Sequence, residues 1–262
     1  MNAETLRVSI VQTSIAWEDK ARNLDSFEQK VQSCSSCSDV VVLPEMFTTG
    51  FSMQGASELA ESTTGTTIAR VKKWALEGDV LIIGSFIATE NNKLYNRAFA
   101  VLPNQEIYWY DKKHLFSMSG EDDIFSAGEN VCIVPYKGWN IALTTCYDIR
   151  FPVWLRNVNN AYDMLVVVAN WPASRKEAFN TLLKARAIEN LSYVCASNCI
   201  GTDGKGISYT GNSQVIDFKG FVVANVAENA DTIVSYTVEK ESLTRFRTNF
   251  PAWKDADSFL LQ

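Results

Sequence analysis

The sequence is short of histidine, cysteine and positive charge, and each shortage removes a class of function. A single histidine, His114, cannot supply the several imidazoles of a multi-histidine zinc site. A zinc site of that kind is therefore excluded. Lys and Arg number 24 against 30 Asp and Glu, a net charge of −6. Without a dense basic patch such a chain cannot neutralise phosphates, so no nucleic-acid partner is expected. Six cysteines in 262 residues are too sparse for a disulfide scaffold. No apolar run approaches the ~18 residues that span a bilayer, so no membrane partner is expected either. The stretch Met1 to Thr13 lacks the basic and apolar regions of a secretory leader. These absences point to a soluble, cytoplasmic protein. No glycine-rich loop follows an apolar strand, which weakens a nucleotide-binding reading. No Pro/Gly/Ser-rich linker, repeat or low-complexity tract interrupts the chain, so residues 1–262 read as one domain.

What is present is a globular chain, 47% hydrophobic and 21% charged. Leu6 to Gln12, Val40 to Leu43, Leu81 to Phe86, Ile107 to Tyr110 and Ile141 to Thr145 read as strands. Met164 to Ala169 is a continuous apolar run, as in a strand buried on both faces. Helical spacing joins Leu24, Phe27 and Val31, and again Ile68, Val71 and Trp74. A further helical stretch is predicted through Phe151, Trp154, Leu155 and Val158. A long helix is predicted from Ser174, with Ser174 and Glu177 forming a capping box and Phe179, Leu182, Leu183 and Ile188 its apolar stripe. Past Tyr193 the turns Asp203-Gly204 and Lys219-Gly220, and the run Thr232 to Val238, suggest antiparallel hairpins. Helices alternating with strands, then hairpins, imply an α/β layered sandwich with mixed sheets.

Three reactive side chains end three of these strands. Glu45 follows Val-Val-Val-Leu-Pro, Lys112 follows the run Ile107 to Asp111, and Cys146 follows Ile141 to Thr145. Ligands of α/β sheets bind at the carboxyl ends of strands. A carboxylate, an ammonium and a thiol meeting there would make a covalent hydrolase without histidine. Each residue alone has a plainer reading, as the start of a solvated loop or as an inert packed thiol. Lys112 and Lys113 are adjacent, and on an extended strand only one of them can face a pocket. The spacing Cys34-Ser35-Ser36-Cys37 is that of a redox pair, but it falls in a Ser-rich helix end rather than after a thioredoxin-like strand.

The contexts of the three residues carry a resemblance. Leu43-Pro44-Glu45-Met46-Phe47, Tyr110-Asp111-Lys112-Lys113-His114-Leu115-Phe116 and Cys146-Tyr147-Asp148-Ile149-Arg150-Phe151-Pro152 resemble the signature segments of the nitrilase (carbon–nitrogen hydrolase) superfamily. Asn170-Trp171-Pro172, Ala185 to Asn190, Gly206 to Ser213 and Phe246 to Pro251 extend it over nearly the whole chain, in family order. His114 to Met118 with Gly120-Glu121, and Asn170 to Arg175, look most like the omega-amidase branch.

The resemblance implies a four-layer αββα sandwich of two mixed sheets and a homodimer formed through outer helices. It implies hydrolysis of the terminal carboxamide of 2-oxoglutaramate or 2-oxosuccinamate through a cysteine thioester. The alternatives are another superfamily amidase, a nitrilase or a carbamoyl-amide hydrolase. It makes Glu45, Lys112 and Cys146 catalytic, and Lys112 with the Tyr147 N–H the oxyanion hole. It turns Lys113 outward, gives His114 a structural role, and places Glu121 at the pocket edge, against the lysine or the substrate. The substrate is an anion in a net-negative protein, so a local cation is required. Arg175, at the start of the long helix, is expected to bind its carboxylate. Phe116 and Trp171 are expected to line the pocket. Arg150 is expected to fix the nucleophile turn through Asp148 or a glutamate.

Overall fold

Strand β1 (Thr5–Gln12) runs parallel to β2 (Val40–Val42), which runs parallel to β3 (Leu81–Glu90). Strand alternation assigns their side chains to two different layers. Leu6, Val8, Ile10, Val40, Val42, Leu81 and Ile83 face a core shared with the second sheet. Val11, Val41 and Ile82 face helix α1 (Lys20–Ser35) and, beyond the short α2 (Ala56–Leu59), helix α3 (Thr66–Gly78). Those helices present Leu24, Phe27, Val31, Ile68, Val71 and Trp74, the stripes read from the sequence. Asp19 caps α1 by accepting the Arg22 N–H.

Strands β4 (Lys93–Val101) and β5 (Ile107–Asp111) extend this sheet antiparallel on one side. The short helix α4 (Glu121–Ile124) leads on to the second sheet. There β6 (Ile133–Tyr136) pairs antiparallel with β7 (Trp139–Thr145). Strands β7, β8 (Met164–Ala169) and β9 (Tyr193–Asn198) are parallel, with β8 fully buried between them. Helix α5 (Lys176–Asn190) covers this sheet with Phe179, Leu183 and Ala187. The hairpin β10 (Ile200–Thr202) to β11 (Ser208–Thr210) stands apart as a two-stranded sheet. Strands β12 (Gln214–Ile216) and β13 (Val222–Asn225) complete the second sheet. Strand β14 (Thr232–Glu239) then returns to the first sheet, antiparallel to β1, before α6 (Lys240–Asn249). The sheet orders are β14-β1-β2-β3-β4-β5 and β13-β12-β9-β8-β7-β6, packed face to face between helical layers. This is the αββα sandwich of two mixed sheets that was expected.

The computed structural model describes residues 4–260. Residues 1–3 of the stretch read for a leader, and residues 261–262, which with them end the 1–262 span, lie outside the described residues. Among the described residues no helix is long and apolar enough to cross a membrane.

Four local expectations are corrected. The stretch from Phe151 to Val158 is not a helix. It consists of turns bracketed by two 3₁₀ segments, Cys146–Arg150 and Val158–Asn160. Pro152 disfavours the helical region at Phe151, which sits at φ −112, ψ 88. The Ser174/Glu177 capping box does not form, because Ala173–Arg175 is a 3₁₀ turn and Arg175 is the N-cap, with no side-chain cap bond. Ile188 lies outside the apolar stripe of α5 and is exposed. Thr232 to Val238 is not part of a hairpin with its sequence neighbour but pairs along the length of β1.

Candidate active site

Strands β2, β5 and β7 deliver Glu45, Lys112 and Cys146 to one place. All three are buried, Glu45 and Lys112 almost completely. The Lys112 ammonium lies 3.1 Å from Glu45 Oε1 and 2.8 Å from Glu121 Oε2. Each carboxylate oxygen near it has a further donor. Asn96 Nδ2 donates to Glu45 Oε1 at 2.7 Å and to Glu121 Oε1 at 3.0 Å. The Asn170 backbone N–H donates to Glu45 Oε2 at 2.8 Å, and the Phe116 N–H to Glu121 Oε2 at 2.6 Å. Two buried carboxylates and one ammonium are thus held in a connected network, which offsets much of the cost of removing them from water.

Burial alone would strip the proton from Lys112, but the charges of Glu121 and Glu45 outweigh it and raise its pKa. Burial, reinforced by the Glu45 charge, pushes the Cys146 thiol well up, with Lys112 and the Asn170 backbone opposing. Cys146 is therefore a protonated thiol at neutral pH, near enough to Glu45 and Lys112 to feel the charge of both. Its backbone is left-handed, φ +45, and so is that of Met46 next to Glu45, φ +43. Such conformations cost about 1 kcal/mol each in non-glycine residues and persist where the surroundings enforce them.

Cys146 opens into a cavity of about 440 Å³. Lys112, Phe116, Tyr147, Trp171 and Arg175 line it. Arg175 lies over the Phe116 ring, 5.0 Å from its centroid. The Tyr147 N–H belongs to the first turn of a 3₁₀ segment, where the helix itself offers no acceptor. Glu121 is not on the wall. Its carboxylate is occupied by Lys112, Asn96 and Phe116, so of the two partners expected for it, the lysine or the substrate, it meets the lysine. Arg150 does not join Asp148 or a glutamate. Its guanidinium lies 5.0 Å above the Trp171 ring, on the cavity wall, and adds a further cation beside Lys112, Arg175 and Lys205. Lys113 turns away from the cavity, as expected, but packs over Trp154 rather than standing free in solvent. His114 turns to Asp148, with Nδ1 2.8 Å from Oδ1, which fits a structural role. Cys34 is buried, Cys37 is exposed, and both are free.

Sequence reasoning missed Asn96, Phe51 and the cavity wall formed by Asp203, Lys205, Ile207 and Tyr209 of the β10–β11 hairpin. Asn96 was discoverable in principle, as a lone amide in the run Leu94 to Val101. The hairpin residues carry no signal in a single sequence. Among the described residues no three His, Cys, Asp or Glu side chains are grouped to hold a metal ion.

A thiol, a carboxylate and a lysine meet at the strand ends of an αββα sandwich, and the class that this fold and site point to is that of the hydrolases. The carbon–nitrogen hydrolase family model matches residues 7–248, and the chain belongs to that family. Among individual relatives, the omega-amidase YafV of Yersinia enterocolitica is 40% identical over 257 residues, covering 98% of this chain and 99% of that protein. The 2-oxoglutaramate amidase of Bacillus subtilis (strain 168) is 32% identical over 251 residues, covering 95% and 96%. The crystal structure of XC1258 from Xanthomonas campestris, a CN-hydrolase superfamily protein with an arsenic adduct in its active site, matches with a TM-score of 0.96 at 38% identity. That match covers 99% of this chain and 100% of the other. The family resemblance read from the three motifs is borne out.

Proposed function

We propose that this enzyme is an omega-amidase. It hydrolyses the terminal carboxamide of short 2-oxo-acid amides such as 2-oxoglutaramate and 2-oxosuccinamate, releasing ammonia and the dicarboxylate. The observation that carries the reading is the Glu45–Lys112–Cys146 cluster at the base of a cavity walled by two arginines, Arg150 and Arg175. The cluster supplies amide chemistry, and the arginines suit a carboxylate at the far end of the substrate. The names of the two amidase relatives support the same substrate class.

Glu45 takes the Cys146 proton as the sulfur attacks the amide carbon. The tetrahedral oxyanion is held by Lys112 and the Tyr147 N–H. An ammonium has three protons. One goes to Glu45, one is shared by the two Glu121 oxygens, and the third is left for the oxyanion. Glu45 returns its proton to the leaving nitrogen, and ammonia departs from a Cys146 thioester. Glu45 then deprotonates a water, which attacks the thioester and regenerates the thiol. No metal or organic cofactor takes part in this scheme. The protein acts as a cytoplasmic homodimer in this proposal, and a light-scattering mass of a single chain would count against the dimer.

The test is ammonia release from 2-oxoglutaramate compared with a nitrile and a carbamoyl amide. The oxoamide is expected to be the best substrate, with turnover lost in a folded Cys146→Ala variant. Preference for the nitrile or the carbamoyl amide would replace this reading by another superfamily reaction. Activity that survives Cys146→Ala would remove the mechanism.

A further inference from the structure

We propose that Asp148 is a positioning residue that fixes the Cys146 turn against the Lys112 loop, so that sulfur and oxyanion donors stay in register. The proposal rests on the reading that Cys146 and Lys112 carry the reaction. Asp148 is fully buried and is the third residue of the 3₁₀ turn Cys146–Arg150. Its Oδ1 accepts the His114 backbone N–H and faces His114 Nδ1, both at 2.8 Å. Its Oδ2 accepts the Tyr110 hydroxyl at 2.7 Å and the Thr145 N–H at 3.3 Å. Tyr110 and His114 stand two residues before and two residues after Lys112, and Thr145 directly precedes Cys146. One carboxylate therefore brackets the lysine from both sides and grips the strand end that carries the sulfur.

The partners are themselves held. Trp154 Nε1 donates to the Tyr110 hydroxyl at 3.0 Å. The His114 ring stacks on Phe151 with centroids 3.7 Å apart. Arg186 Nε donates to the Ile149 carbonyl at 2.8 Å, securing the far side of the turn. The left-handed Cys146 backbone needs such external enforcement, since its own preference is for another region.

The chemistry of the contact requires a carboxylate. Each Asp148 oxygen faces one backbone N–H, from His114 on one side and Thr145 on the other. Neither N–H can become an acceptor. An asparagine at this position must set its NH₂ against one of them, whichever way it turns. The turn or the loop then shifts, and a misplacement of ~1 Å costs about 100-fold in rate.

The experiment is steady-state kinetics of Asp148→Asn on the best amide, together with the rate of Cys146 alkylation by iodoacetamide, which needs the thiol but not the oxyanion donors. The expected result for the folded variant is a kcat lowered about 100-fold, KM within about 3-fold, and alkylation slowed less than about 5-fold. A kcat within about 3-fold of the parent overturns the proposal, as does alkylation falling in step with kcat. Should Asp148→Asn not fold, the double variant Tyr110→Phe/His114→Ala leaves only the two backbone donors. It is expected to lose about 10-fold in kcat at constant KM, and an unchanged kcat overturns the proposal. A parent-like Asp148→Asn alongside an inactive Cys146→Ala would remove this proposal alone. An active Cys146→Ala would remove the reading beneath it.

Discussion

At the scale of single residues, the site turns on how charge is placed in a protein of net charge −6. Lys112 is spoken for by two glutamates, so the cations that remain for a substrate carboxylate are those of the cavity wall. Arg175 sits over Phe116 and lines the cavity. Arg175→Ala is expected to raise KM for 2-oxoglutaramate by about 10- to 100-fold, the loss of one charge-assisted contact. A neutral short amide should lose less than about 3-fold in the same assay, because it makes no such contact. Equal losses on both substrates would show that Arg175 serves the fold and not the anion. Glu45, Lys112 and Cys146 were legible because each stands in a distinctive local context. Asn96 left only the faint signal of a lone amide and the contact of Arg150 none, because their roles depend on partners brought from elsewhere in the chain: Glu45 and Glu121 for one, Trp171 for the other.

At the scale of elements, parallel strands were legible because apolar β-branched residues must fill both layers around them. Strand β4 was not, because its first half, Lys93 to Arg97, carries polar residues that serve the interior. Arg97 is buried against Asp111 and Glu90, and Asn96 holds the two glutamates. The apolar spacing from Phe151 to Val158 mimicked a helix because irregular turns also need to pack, here through Trp154 and Leu155. The placement of Lys112 also depends on a glycine far along the chain. The Gly128 N–H donates to the Lys112 carbonyl at 2.9 Å, and a Cβ there would lie 2.0 Å from the Asp111 carbonyl oxygen. That oxygen is backbone and cannot swing aside. Gly128→Ala is expected to cost ~2–4 kcal/mol in denaturant unfolding and to lower kcat, since the end of β5 must move. Parent-like stability and kcat would show that the loop, and not the strand, yields.

At the scale of the whole molecule, burial governs the response to pH. Cys195 is pushed up to about 12 by burial alone, and Cys146 and Cys199 are raised well above an ordinary thiol, also chiefly by burial. In the unfolded chain these thiols ionise near ~8.5. Above that pH the unfolded state binds fewer protons than the native state, so stability falls as pH rises. Lys112, whose pKa is raised, acts in the same direction once its unfolded counterpart deprotonates near ~10.4. The melting temperature is expected to decline steadily between about pH 8.5 and 10.5, each buried thiol contributing up to about 1.4 kcal/mol per pH unit. A flat profile across that window would mean that these thiols are accessible in the native state.

The return of β14 to β1 has a consequence for biosynthesis. Thr5 pairs with Glu239 and Gln12 with Thr232, so β1 leaves the ribosome about 220 residues ahead of the strand that becomes its antiparallel neighbour. Until then one border of the first sheet stands open, ready to zip onto another chain. Such distant pairing also makes for slow assembly. Crowded expression at high temperature should therefore favour inclusion bodies, and slower translation or a holdase chaperone should relieve them.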